Sequence, residues 1–253
     1  MVIRSEQLKC FEKSVRDRFA NELVQYCYSV SAAECEVAGN ESVRQFVWIG
    51  IERAKTVGFA DIDFIRLYLE LMLRLGCDFD SDPQFAWAGE IIHAEPRDTE
   101  FIMASQLYRE LQVYLKRVHG TRGALAHAAL RRFLVSDQEW FGRTNDGQTT
   151  IMLLSSIHPE KSAYVGDDTL GCIVANAFEL VRRFGLAARP GVSLIAVLTF
   201  LLGRGAISDP RYAWLPAALG DPRFKSPEDR AANLWDQSRS YVDSITTTGE
   251  LFR

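Results

Sequence analysis

Apolar residues along this chain recur three and four positions apart, and the strict alternation that would mark half-buried strands is nearly absent. Leu67, Leu71 and Leu75 repeat every four residues, as do Leu194, Leu198 and Leu202, so each trio draws one buried stripe along a helix. Leu107 and Tyr114, and again Leu234 and Tyr241, stand seven apart, two turns along one face. The uninterrupted apolar run at 192–202 is well short of the roughly 20 residues that span a bilayer. It reads as a buried core helix. An all-α fold follows.

The breaks between these runs carry helix-end chemistry. Gly58 and Gly185 close one helical run, and Gly76 and Gly203 close the next, where a left-handed residue would end the helix at no steric cost. Ser-Asp-Pro at 81–83 and at 208–210 then opens another helix. Its Asp carboxylate can accept a free N–H, and its Pro sits where a missing N–H costs nothing. Trp87 and Trp214 follow one turn later as core anchors. The spacing predicts a helix ending near 30, then helices near 41–57, 61–76, 84–93 and 98–118, with the whole series recurring 127 residues later.

That recurrence is also visible residue by residue. Setting 39–118 against 166–245 without a gap gives seventeen identities, where unrelated sequences would give about five. They include every Gly, Leu, Asp-Pro and Trp position just named, together with Ala60/Ala187 and Tyr114/Tyr241. The expected architecture is therefore two tandem copies of a five-helix unit, packed as a pseudo-two-fold pair. Unit 1 covers 1–120 and unit 2 covers 121–253, the latter with an added linker helix at 124–134 and an exposed loop at 137–148.

Chemistry is harder to find. Five cysteines, Cys10, Cys27, Cys35, Cys77 and Cys172, form no C-x-x-C pair and fit neither a disulfide framework nor a zinc site. Four histidines have no ligand spacing and none recurs in the other copy. Asp78-Phe79-Asp80-Ser81-Asp82 opens like a calcium loop, but Pro83 stands where the turn needs Gly and Gly89 where a bidentate Glu is required. No nucleophile elbow, phosphate loop or dinucleotide fingerprint is present. Neither catalysis nor a metal, cofactor or small-molecule substrate is expected. Charged residues in the first nine positions argue against a signal peptide, so the expected compartment is the cytoplasm.

Charge and exposed aromatics supply the binding candidates. Residues 1–127 carry 15 basic and 19 acidic side chains, against 14 and 14 in 128–253, so the whole net charge of −4 lies in the first half. Seven acids (Asp78, Asp80, Asp82, Glu90, Glu95, Asp98, Glu100) crowd into 78–100 beside one Arg97, with Phe79 among them. Such a patch repels nucleic acid and steers a basic protein. Trp140-Phe141, in the 137–148 loop that has no counterpart in the first copy, is a second candidate anchor.

The segment 58–87, with Leu67, Leu69, Leu75, Gly76, Phe79, Asp82, Pro83 and Trp87 in its pattern, resembles a group of small helical bacterial proteins. These are typically encoded beside type VI secretion tip proteins and their toxic cargo. The second copy matches more loosely, since Ala206 replaces Phe79. A double-unit chain of this size is similar to the cytoplasmic immunity protein of a restriction-endonuclease-fold nuclease toxin. The resemblance implies a non-enzymatic protein that binds a cognate effector, in contact with its secretion tip protein, and blocks its activity. The alternative it leaves open is an adaptor or chaperone that loads the effector. No membrane or nucleic-acid partner is implied.

Overall fold

The computed structural model describes residues 5–95, 98–143 and 146–247, and every regular element among them is helical. The first half opens with α1 (Ser5–Val30), α2 (Ala32–Ala38), α3 (Asn40–Thr56) and α4 (Ile62–Leu75). After a turn at Pro83–Phe85 come α5 (Ala86–Ile92) and α6 (Glu100–Tyr114), the last prolonged by a π turn over Leu115–His119. The second half holds α7 (Ala124–Val135), α8 (Gln138–Arg143), α9 (Gly147–Ile157), α10 (Pro159–Val165), α11 (Asp167–Phe184) and α12 (Ala188–Leu202). A turn at Pro210–Tyr212 then leads into α13 (Trp214–Leu219) and α14 (Pro227–Thr247). No helix among the described residues is long and apolar enough to cross a membrane.

Buried apolar side chains fall into two clusters, one drawn from residues between Leu23 and Val118 and the other from residues between Ala129 and Ile245. Each is built around a central helix. α4 buries Ile65, Tyr68, Leu69, Leu71, Met72, Leu73 and Leu75. α12 is buried continuously over 191–200, as its apolar run requires, because a helix hydrophobic all round has no face to give to water. Leu107, Tyr114, Leu234 and Tyr241 are buried as their spacing predicts. Trp87 and Trp214 are half-buried and pack on their clusters, Trp214 stacking 5.2 Å from the Tyr241 ring.

The capping chemistry is also as the sequence leads one to expect. Asp82 accepts a 3.0 Å bond from the Gln84 N–H and Asp209 a 2.9 Å bond from the Arg211 N–H, each just ahead of its Pro. Gly76 and Gly203 adopt φ +108° and +91°, a region side chains avoid. Cys27, Cys35 and Cys77 are buried free thiols and Cys172 is exposed, while the Cys10 side chain lies outside the described residues.

Two expectations need correction. Residues 137–148 are not an exposed loop: Asp137 caps α8 with a 2.6 Å bond from the Trp140 N–H, and Asp146 caps α9 with a 2.8 Å bond from the Thr149 N–H. The same Gly, Asn and Asp residues that mark loops also mark helix ends, and here the capping role wins. Residues 144–145 lie outside the described residues. Each half also contains a short helix that apolar periodicity does not reveal, α2 and α10, of seven residues each and starting 127 positions apart. Seven residues are too few to establish a helical period.

The halves meet at the ends of α4 and α12. A Cβ placed on Gly76 would lie 2.9 Å from the Leu202 carbonyl oxygen, and one on Gly203 would lie 2.8 Å from that of Leu75. Beside this contact the Gln84 amide donates a 3.1 Å bond to the Thr199 carbonyl, and the Arg211 guanidinium a 3.1 Å bond to the Met72 carbonyl. Each of these carbonyls already accepts the N–H of the glycine that ends its helix at 3.0 Å, and the side chain from the opposite half fills its second lone pair.

Candidate functional site

The acidic stretch at 78–100 is largely consumed by the fold. Asp78 pairs with Arg53 at 2.6 Å, and Asp80 accepts a 2.8 Å bond from the buried Tyr68 hydroxyl. Asp82 is buried at the junction, where its second oxygen accepts the Arg204 N–H at 2.8 Å. Glu100 accepts the Ala60 N–H at 3.1 Å, and Asp98 is 3.4 Å from the Gln106 amide. Phe79 is wholly buried, 5.0 Å from the Tyr68 ring. Only Glu90 and Glu95 of the seven acids are exposed. Periodicity and charge counts could not foresee this, because carboxylates that cap helices and bind hydroxyls look the same in sequence as carboxylates that face water.

The aromatic pair at 140–141 divides. Phe141 is buried against Phe133 and Trp235, with ring centroids 6.1 and 4.7 Å away, and so is a core residue rather than an anchor. Trp140, one residue earlier on α8, is 39% exposed and lines an open groove with Arg132, Val135 and Ser156. A hundred degrees of helix separate the two side chains, which a loop assignment hides.

A second apolar surface escaped the sequence reading. Phe101 and Tyr108 on α6 are 70% and 53% exposed, and Ile102 is exposed beside them. Phe101, Ser105, Tyr108 and Gln112 share one outward face of this helix, opposite the buried Leu107 and Leu111. The helix starts at Glu100, with Thr99 as its cap and Glu95 and Asp98 shortly before it. The signal was available: at 101 and 108 the aromatic spacing matches a helical face, but one displaced from the face of Leu107.

The third feature lies between the halves. A cavity of about 60 Å³ is lined by Glu34, Arg74, His119, His158 and Lys161, together with Tyr114 and Tyr212. The sequence scatters these residues over 179 positions, so nothing local points to them. Lys161 sits at the start of α10, buried, its ammonium donating a 2.5 Å bond to the Phe200 carbonyl. Its Nζ lies 5.4 and 5.1 Å from the Phe85 and Phe200 rings. Burial pulls its pKa down to about 8, partly opposed by Asp82.

His158 caps α10, its Nδ1 accepting the Lys161 N–H at 3.3 Å. Burial and then the Lys161 charge press its pKa down to about 4, and the same two causes put His119 well below 6.5. Both imidazoles are neutral near pH 7. Burial raises the Glu34 pKa, although Arg211 pulls the other way through a 3.1 Å ion pair. Arg211 is itself buried and bonded to Asp209 at 2.6 Å, with its guanidinium 4.3 Å over the Phe46 ring. Among the described residues no group of three or more His, Cys, Asp and Glu side chains is arranged to hold a metal.

No protein-family model matches this chain, nor does any curated protein or solved structure. The surfaces and the cavity are the ground for a functional reading.

Proposed function

We propose that this chain is a non-enzymatic immunity protein that binds a type VI secretion effector, a nuclease, in the cytoplasm and blocks its activity. The single observation that carries the reading is the exposed Phe101–Tyr108 ridge of α6, which opens beside Glu90, Glu95 and the partly exposed Asp98 and Glu100. Large aromatics left in water are costly to a free chain and become strong anchors when a partner covers them. Acidic groups at their border favour a basic partner, as a DNA-binding enzyme is, and speed the encounter. The secretion tip protein is a further expected contact through that effector.

The experiment is co-expression of this chain with the toxins encoded by the genes flanking its own. Protection that is lost on replacing Phe101 and Tyr108 by Ala, while the chain remains folded, supports the reading. Absence of both protection and complex formation with any of them sinks it.

A second reading, an adaptor that loads the effector, is favoured by the groove at Trp140. Val135 on its rim is 83% exposed, and an extended apolar segment of cargo could lie along it. The two readings divide by surface: an adaptor loses its cargo on Trp140→Ala and keeps it on Phe101→Ala.

For the fold, the reading we favour is an internal duplication with unit boundaries at 1–120 and 121–253, packed about a pseudo-two-fold axis near Gly76 and Gly203. Its supports are the 127-residue spacing of the two glycines, of Gln84 and Arg211, and of the carbonyls they grip, Thr199 and Met72. α2 and α10 make the proposed unit one of six helices rather than five.

A further inference from the structure

We propose that the cavity between the halves binds a small oxyanion of phosphate size, held by Lys161 with Arg74 at its side. Lys161 is buried, has three N–H donors, and makes one hydrogen bond, to the neutral Phe200 carbonyl. No carboxylate among the described residues lies within ion-pair distance of its Nζ. Buried charges in folded proteins are paired, because taking an ammonium out of water uncompensated costs several kcal/mol. Here the space next to it is a cavity rather than a carboxylate.

Comparison across the junction shows where the counter-charge went. Position 34 carries Glu and position 161, 127 residues later, carries Lys. Glu34 has its counter-charge in Arg211 at 3.1 Å. The position 127 before Arg211 is Gln84, which is neutral and spends its amide on Asp82 and Thr199. One side of the junction thus gives its Glu34 a cation, and the other sets Lys161 against the cavity with no carboxylate of the described residues in ion-pair reach.

The remaining cavity wall suits an oxyanion. Arg74 brings a second cationic group, partly offset by Glu70 at 3.8 Å. The neutral His158 ring lines the wall next to Lys161, its Nδ1 3.3 Å from the Lys161 N–H and 3.2 Å from a Glu160 carboxylate oxygen. His119, Tyr114 and Tyr212 complete the polar lining, and the one carboxylate there, Glu34, is engaged at 3.1 Å by Arg211, which it shares with Asp209. Burial first and then the Lys161 charge lower both histidine pKa values, and the second of these causes is what an anion would cancel. The room available fits free phosphate or sulfate, or the terminal phosphoryl group of a larger molecule whose remainder stays outside.

The test is thermal unfolding of the full chain at pH 7 with inorganic phosphate titrated against sodium chloride of equal ionic strength. A saturable rise in the midpoint, about 4 °C at ten times the dissociation constant, is the expected result. Sulfate should reproduce it, and chloride should not. If glycerol phosphate binds at least as tightly as phosphate, the source is the phosphoryl group of a larger molecule; if it binds tenfold more weakly, the source is the free ion. Lys161→Met should abolish the phosphate effect while leaving the chain folded in chloride.

Should that variant fail to fold, ¹⁵N-histidine NMR of the unaltered chain decides. Phosphate should shift the His119 and His158 resonances saturably and raise their pKa values, leaving the exposed His93 unmoved. The same midpoint in phosphate and chloride, an undiminished phosphate effect in Lys161→Met, or shifts no larger at His119 and His158 than at His93 would each overturn the proposal. None of these outcomes depends on the immunity reading, since no protein partner is present.

Discussion

Gly203 Cα lies 3.2 Å from where a side chain on Gly76 would begin, and Gly76 Cα stands at the same distance from a side chain on Gly203. Two helices therefore end backbone to backbone, with no atom to spare between them. Each glycine also holds a positive φ, so two separate constraints exclude any other residue.

Gly76→Ala and Gly203→Ala are expected to destabilise the chain by about 3 kcal/mol or more each, combining positive-φ strain with a backbone clash. Gly39→Ala and Gly166→Ala are the controls. These glycines have φ +82° and +80° but open space around them, so only the conformational cost of about 1–2 kcal/mol remains. Urea unfolding of the four variants checks the contrast, and equal costs at all four sites would mean that the close approach is unimportant.

Arg211 holds together Asp209, Glu34 and two α4 carbonyls across the junction. Arg211→Met leaves two buried carboxylates without their cation and should cost about 3–5 kcal/mol. Gln84→Met on the opposite side removes one bond to Thr199 and one to the Asp82 carboxylate, which keeps two backbone N–H donors, and should cost about 2 kcal/mol. Chemical denaturation distinguishes the two, and a cheaper Arg211 variant would contradict the account of the network.

Acid should weaken the fold through the two buried imidazoles. Their folded-state pKa values are depressed, to about 4 for His158, so below an ordinary 6.5 the unfolded chain takes up protons first. Stability is then full above about pH 6.5 and is lost progressively as the pH falls toward 4, by on the order of 3 kcal/mol for His158. Glu34, whose pKa burial raises, acts in the opposite sense and blunts the effect at the acid end. His158→Asn keeps an acceptor for the α10 cap, and should flatten the stability profile between pH 6.5 and 4. An unchanged profile would show that His158 does not carry it.

Adjacent aromatics on α8 should behave oppositely. Phe141→Ala opens a hole between Phe133 and Trp235 and is expected to cost about 3–5 kcal/mol of stability. Trp140→Ala, at a half-exposed site, should cost about 1 kcal/mol or less. Thermal unfolding of the two single variants gives the comparison.

On α6, Phe101→Ala and Tyr108→Ala should leave stability within about 0.5 kcal/mol. If the ridge binds the effector, each should weaken the complex by about 2 kcal/mol or more. Glu90→Lys with Glu95→Lys should slow association and reduce its dependence on salt. Stopped-flow association with the purified effector measures both effects, and unaltered kinetics in all variants would remove this surface from the binding site.

Whatever is local and repeated could be read from the chain alone. The Leu stripes, the Gly ends and the Asp-Pro caps involve residues within a few positions of one another, so spacing specifies them, and Asp82 and Asp209 cap as that spacing requires. Only the tertiary structure decided the use of each polar side chain. The exposure of Glu95 and the burial of Asp82, the outward Trp140 beside the inward Phe141, and the meeting of His119, His158 and Lys161 at one cavity depend on packing between distant helices. Charge and polarity are properties of a residue, whereas burial and pairing belong to its surroundings. For Phe141 those surroundings lie within one half, and for the cavity they form where the two halves meet beside Gly76.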